Sequence, residues 1–76
     1  MAYGPANPIP DDALITELGL KNRTRNALLL DRLETVGQVL AYSRTEFAAI
    51  PGMGRLSFAD LKERIEANGR KLYEKM

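Results

Sequence analysis

The stretch Ile50-Pro51-Gly52-Met53-Gly54-Arg55-Leu56-Ser57 sets the reading of the whole chain. Two glycines separated by one residue, directly after a proline, mark a sharp reversal between two helices. Gly52 and Gly54 can each take φ > 0 without steric cost, which predicts a two-glycine hairpin with bare backbone. Ser57 stands where a helix N-cap belongs, and Ser57-Phe58-Ala59-Asp60 resembles a capping box with aspartate in place of glutamate. A glycine turn that feeds a helix N-terminus points several backbone N–H groups outward, a ready anion site. Taken alone, the stretch fits a plain helix–helix connection equally well.

Working outward, helix signals lie on both sides of it. Upstream, Ser43-Arg44-Thr45-Glu46 is an S-x-x-E capping box. The helix it opens packs through Phe47 and Ile50 and ends at Pro51 and Gly52. Downstream, Phe58, Leu61 and Ile65 form the i, i+3, i+7 stripe of an amphipathic helix, with Gly69 as its stop. Thr35 is a good N-cap for a short helix carrying Val36, Val39 and Leu40. Asn22 is a plausible N-cap for a helix running to about Asp31 or Arg32, with Leu28 its best core residue. Leu28, Leu29 and Leu30 sweep about 200° around that helix, so at least one of them must be exposed or covered by a partner. Earlier still, Asp11 or Asp12 can cap a short helix with Leu14, Ile15 and Leu18 as its apolar side and Gly19 as its stop. Residues 1–10, with Pro5, Pro8 and Pro10, read as a flexible N-terminal arm. Residues 11–70 form the single helical domain. Residues 71–76 are a tail whose Leu72 and Tyr73 fold back on the core or fray. No segment alternates with period two for long enough to be a strand. The fold class is all-α, a compact bundle of four to five short helices.

Composition narrows the chemistry. A protein of 76 residues buries roughly 60% of its unfolded surface, enough for one small core. Cysteine and histidine are both absent, which removes disulfides, thiolate nucleophiles, imidazole bases and the usual zinc sites. Ser43 and Ser57 have no histidine to activate them, and the glycine stretch lacks the Lys-Ser/Thr pair of a Walker loop. Neither an enzyme nor a bound cofactor or metal is expected. No signal-peptide pattern opens the sequence, and no apolar run approaches the ~20 residues of a membrane span. A soluble, cytoplasmic protein is therefore expected.

Net charge is +1, so local distribution matters more than the total. Lys21, Arg23 and Arg25 fall within five residues with no acid between them, and Arg55 lies in the glycine stretch. Arg23, Asn26 and Ala27 share one helix face at i, i+3, i+4 spacing. Two separated basic spots fit a small phosphate footprint. Taken singly, Arg23 fits equally a helix-start arginine paired with Asp11, Asp12 or Glu17, and Asn26 an ordinary solvated residue.

From Arg23 to about Gly69 the sequence resembles the C-terminal domain of the bacterial RNA polymerase alpha subunit. The resemblance rests on Arg23-Thr24-Arg25-Asn26-Ala27-Leu28, Thr35-Val36-Gly37, Thr45-Glu46-Phe47, Ile50-Pro51-Gly52-Met53-Gly54, Ser57 and Asp60-Leu61-Lys62, with Leu18-Gly19-Leu20 as the lead-in. It implies a SAM-like, alpha C-terminal-domain-like helical fold containing a helix–hairpin–helix, docked on the minor groove of A·T-rich upstream promoter DNA. Arg23 and Asn26 match the arginine and asparagine that contact DNA, and Gly54 and Ser57 match the hairpin glycine and the serine that follow. Asp60 matches an acidic residue that supports the arginine or the backbone. Leu56 stands where the family has a lysine, with Arg55 one position earlier, and Ala27 stands where a cysteine is common. Among the acidic residues that touch sigma factor, Glu17 is the counterpart of one, and Gly19 occupies the place of another.

The expected DNA contacts are thus Arg23, Asn26, Gly54, Arg55 and Ser57, supported by Asp60 and Gly52. Glu17, Leu29 and Leu30 form a candidate partner surface. Expected partners are double-stranded DNA and RNA polymerase or transcription factors, with no membrane, for a nucleoid-associated monomer or weak dimer. No assembly domain accompanies this stretch, which fits either an excised domain or a free-standing relative. The surplus Leu29 and Leu30, with Leu56 in place of lysine, also fit a protein–protein interaction module of the same fold that has weakened or lost DNA binding.

Overall fold

Three of the four α-helix starts in this protein have a side-chain acceptor for a free N–H group at the cap. A computed structural model describes residues 3–72. A 3-10 turn (Ile15–Leu18) precedes α1 (Asn22–Leu30), α2 (Val36–Leu40), α3 (Arg44–Ala48) and α4 (Arg55–Ala67). At α2, Thr35 Oγ1 accepts from Gln38 N–H at 3.3 Å while Gln38 Oε1 accepts from Thr35 N–H at 3.0 Å. At α3 the capping box forms as its sequence requires, with Glu46 N–H donating to Ser43 Oγ at 3.2 Å and Ser43 N–H to Glu46 Oε1 at 2.9 Å. The acceptor for α1 comes from far along the sequence. Lys21, not Asn22, is its N-cap, and the Lys21 N–H donates to Asp60 Oδ2 at 3.0 Å.

The 3-10 turn corrects a sequence expectation. Neither Asp11 nor Asp12 caps it. Leu14 precedes the turn, and its N–H donates to Glu17 Oε2 at 3.1 Å. Gly19, at φ +82°, stops it as expected. Asp11 is occupied elsewhere, because its carbonyl accepts from Gly37 N–H at 2.8 Å and its carboxylate meets Arg70 at 2.6 Å. Together with Val36 N–H to Ala13 O and Ile15 N–H to Glu34 O, both at 2.9 Å, these bonds lay residues 11–15 along the start of α2. Among the described residues the only strand-like pairings are isolated bridges, so the fold is all-α.

The core collects one or two residues from every element. Leu28, Val36, Val39, Leu61 and Ile65 are fully buried, and Phe47 nearly so, while α1 packs directly on α4. Phe47 lies between two rings, with centroids 5.4 Å from Tyr42 and 5.8 Å from half-buried Phe58. Of the three consecutive leucines, Leu28 takes the core; Leu29 is 40% and Leu30 83% exposed, as the 200° sweep demands. The helix ends at Leu30, slightly short of the expected boundary, and Arg32 takes φ +64° to turn the backbone. Leu72 is buried, whereas Tyr73 lies outside the described residues.

Residues 3–10, expected as a flexible arm, make specific contacts with the helical body. Gly4 and Asn7 exchange two backbone bonds at 3.0 Å, and Ile9 is fully buried with its N–H bonded to Asn68 O at 3.0 Å. Gly69 makes this contact possible. It ends α4 at φ +84°, and a Cβ there would come within 2.9 Å of Pro8 Cα and closer still to the Gly4 carbonyl.

Gly69→Ala therefore carries both left-handed backbone strain and a backbone clash, and should destabilise the fold by at least about 1–3 kcal/mol in urea unfolding. Tyr42 offers a second check. Its hydroxyl donates to Asp31 Oδ2 at 2.9 Å, and that bond, with lesser contributions from burial and acidic neighbours, holds its pKa above the ordinary 10.0. The folded state keeps this proton more tightly than the unfolded state does, so the contribution is full below pH 10 and is lost as pH rises through the folded value. Tyr42→Phe should remove that alkaline loss from the pH profile of Tm.

Candidate functional site

The turn between α3 and α4 has the form of a type II reversal. Pro51 occupies its second position and Gly52 its third, at φ +85°, with Met53 N–H bonded to Ile50 O at 3.0 Å. Ile50 and Met53 are buried, so the turn is anchored from both sides. Gly52 lies against α1, where an added Cβ would stand 3.7 Å from Ala27 Cβ. Gly54 behaves differently from the expectation for it. Its φ is −82° and ψ −175°, an extended conformation open to any residue, and a Cβ there would meet nothing within 4 Å. Neither backbone nor packing requires glycine at this position.

Ser57 is also corrected. The helix starts two residues before it, with Gly54 as N-cap, because the extended backbone at Gly54 already supplies the cap geometry. Phe58 N–H bonds to Gly54 O at 2.9 Å, leaving the N–H groups of Arg55, Leu56 and Ser57 ahead of the first intrahelical bond. This end has no side-chain cap. The second capping box does not form, because the Asp60 carboxylate is turned to Lys21 instead.

That long-range bond positions the site. Asp60, 8% exposed, reaches from the second turn of α4 to the N-terminus of α1, where a carboxylate also suits the positive end of the helix dipole. Arg23, two residues beyond Lys21, is thereby held beside the glycine turn. One open groove is lined by Arg23 from α1, by Ile50, Gly52 and Met53 from the turn, and by Gly54, Arg55, Leu56 and Ser57 at the start of α4. A neighbouring hollow shares Arg23, Leu56 and Ser57 and adds Lys21 and Thr24. Among the described residues neither Arg23 nor Arg55 is drawn into an ion pair; Asp11, one partner weighed for Arg23, is held by Arg70.

Five of the seven residues expected in or behind the site therefore meet at one groove: Arg23, Gly52, Gly54, Arg55 and Ser57. Asp60 supports it from behind. Asn26 is exposed one turn further along α1, lining a separate hollow with Leu29 and Leu30 rather than the groove itself. Glu17 is on the 3-10 turn, committed to the Leu14 N–H. The Lys21 backbone has no local signature that would single it out, and Leu56 stands out only through the lysine that the resemblance leads one to expect there. The Lys21 backbone is tied to a residue 39 positions away. Leu56, 82% exposed, lines both hollows, and a reading of charge alone passes over it.

Comparison with known proteins gives two findings. The family described as the C-terminal domain of the bacterial RNA polymerase alpha chain has a model that matches residues 7–67. The DNA-directed RNA polymerase subunit alpha from two strains of Thermus thermophilus is 35% identical over 63 residues, covering 83% of this chain and 20% of each relative. The chain thus spans about one fifth of the length of the curated relatives it matches.

Truncating Asp60 should expose how the two helices are joined. Asp60→Ala leaves the Lys21 N–H without its acceptor and should cost about 1–3 kcal/mol. Asp60→Asn, which keeps an acceptor oxygen, should recover part of that loss in urea unfolding. Equal destabilisation by both variants would point to charge, and not the hydrogen bond, as the link.

Proposed function

The chain belongs to the family of the C-terminal domain of the bacterial RNA polymerase alpha subunit, and on that premise we propose that it docks on the minor groove of A·T-rich upstream promoter DNA. The observation that supports this most is the groove in which Arg23 faces the uncapped start of α4. In this reading the glycine turn and its flanking helices act as a helix–hairpin–helix. Backbone N–H groups at Arg55, Leu56 and Ser57 take a phosphate, which fixes register but carries no sequence information. Arg23 enters the narrowed minor groove, where the negative potential of A·T-rich DNA is enhanced. Asn26 makes its contact one helical turn away. Gly54 gains a reason to be glycine: open space beside it in the free protein lets a sugar–phosphate backbone approach closely. The role is non-catalytic, exercised in the cytoplasm beside RNA polymerase and its regulators.

A second reading draws on the exposed leucines. Leu29 and Leu30 line a hollow with Asn26, and Leu56 projects from the groove. A protein–protein module of the same fold, with Glu17, Leu29 and Leu30 in its partner surface, would use that apolar area in place of DNA. It predicts self-association or partner binding lost on Leu29→Glu, with no DNA-induced shifts at low salt.

A ¹⁵N titration with A·T-rich and G·C-rich duplexes separates the two readings. DNA docking should shift resonances around Arg23 and Gly54 to Ser57, more strongly for the A·T-rich duplex. With ~2–4 phosphates neutralised, log affinity should fall against log salt with a slope of about −2 to −4. Arg23→Ala should abolish this binding with the fold intact. Gly54→Ala should cost at most about 1 kcal/mol of stability, the usual difference between alanine and glycine at an N-cap, while weakening the complex. Parental affinity in Arg23→Ala would show that the assigned face is wrong.

A further inference from the structure

Arg55 opens onto two hollows, and only one of them belongs to the groove described above. The other is lined by Arg44, Ala48, Met53, Gly54, Arg55 and Phe58, with a volume of about 160 Å³. Arg44 projects from the first residue of α3, and its guanidinium carbon lies 5.4 Å from the centroid of the Phe58 ring. The ring holds the arginine by a cation–π contact and limits its rotamers, so less freedom remains to be lost when a ligand binds.

Three observations set this arginine pair apart from ordinary surface charge. Arg44 and Arg55 are each the first residue of a helix, the end at which the helix dipole disfavours a cation. Neither is drawn into an ion pair among the described residues. The nearest acid in sequence, Glu46, is engaged with the Ser43 N–H. Helix stability therefore explains neither placement, and both side chains line one hollow open to an anion. Continuity decides which anion. Met53, Gly54 and Arg55 line both hollows, so the hollow that holds Arg44 adjoins the groove.

We infer that Arg44 and Arg55 form a second phosphate seat, in which Arg44 takes a DNA backbone phosphate beyond those bound at the Arg23 groove. This inference rests on the proposed DNA-binding function. The contact is to phosphate alone, so it adds affinity and salt dependence but no base preference. Arg44 thereby lengthens the footprint on the α3 side of the glycine turn.

The test compares the 76-residue protein with Arg44→Gln, Arg44→Lys and Arg23→Ala, using fluorescence anisotropy on an A·T-rich and a G·C-rich duplex across a salt series. Arg44→Gln keeps a polar stem on the helix but removes the charge. It should bind both duplexes several-fold more weakly at low salt, with a salt slope shallower by about 1 and an unchanged ratio between them. Arg44→Lys should restore the slope. ¹⁵N spectra of each variant confirm that the fold is kept. A parental slope in Arg44→Gln, while Arg23→Ala loses binding, would overturn the second seat and leave the groove reading standing; the pair would then face an acidic protein segment or solvent. Failure of the parent protein to bind either duplex would overturn both.

Discussion

The hydrogen bond from the Lys21 N–H to the Asp60 carboxylate is the constraint on which the site depends. α1 and α4 are separated in sequence by two short helices and a turn, yet the candidate contacts lie on both. Apolar packing between them is non-directional and would tolerate some sliding or rotation. A 3.0 Å bond between the cap of one helix and the second turn of the other removes that freedom. It holds Arg23 against the glycine turn instead of leaving it somewhere along the helix face. Charge reinforces direction here, since the carboxylate sits at the positive end of α1. A residue behind the groove can in this way decide where the candidate arginine stands.

The features legible in the sequence are those whose physics is local. The capping box at Ser43, the N-cap at Thr35, the stops at Gly19 and Gly69, and the surplus in Leu28-Leu29-Leu30 each depend on neighbours within a helical turn. The expectations that needed revision depend on partners elsewhere. Ser57-x-x-Asp60 has the spacing of a capping box, but Asp60 is taken by an N–H 39 residues away, and an extended glycine can start the helix earlier. Ile9, alone between two prolines, gives no periodic signal, yet it is fully buried because Asn68 and Gly69 offer it a seat. The candidate site divides in the same way. The residue types are readable along the sequence, and five of them do share a groove. That Asn26 lines a different hollow follows from how α1 is rotated against α4, which depends on packing.

In the proposed DNA-binding role, the groove would combine two kinds of recognition with different reach. Arginine side chains act over a Debye length of about 8–10 Å and guide encounter from a distance. Backbone N–H groups at the start of α4 act only at contact, where their fixed geometry sets register. Leu56 interrupts this polar surface with an apolar group, so electrostatic attraction is smaller than the same fold would have with a lysine there. On the proposed reading, so few charged contacts suit action close to the DNA, where a tether would raise the local concentration and modest intrinsic affinity would suffice.

The seat of Ile9 and Gly4 on Asn68 and Gly69 has a geometric consequence. It pins the N-terminal segment to one end of α4, while the glycine turn opens at the other. A helix of 13 residues spans about 20 Å. α4 therefore works as a strut that holds the segment from Gly4 to Ile9 a fixed distance from the groove. A flexible leash joined at that end could swing freely without sweeping across the binding face, and the orientation of the face would follow the rigid body of the helices, not the leash.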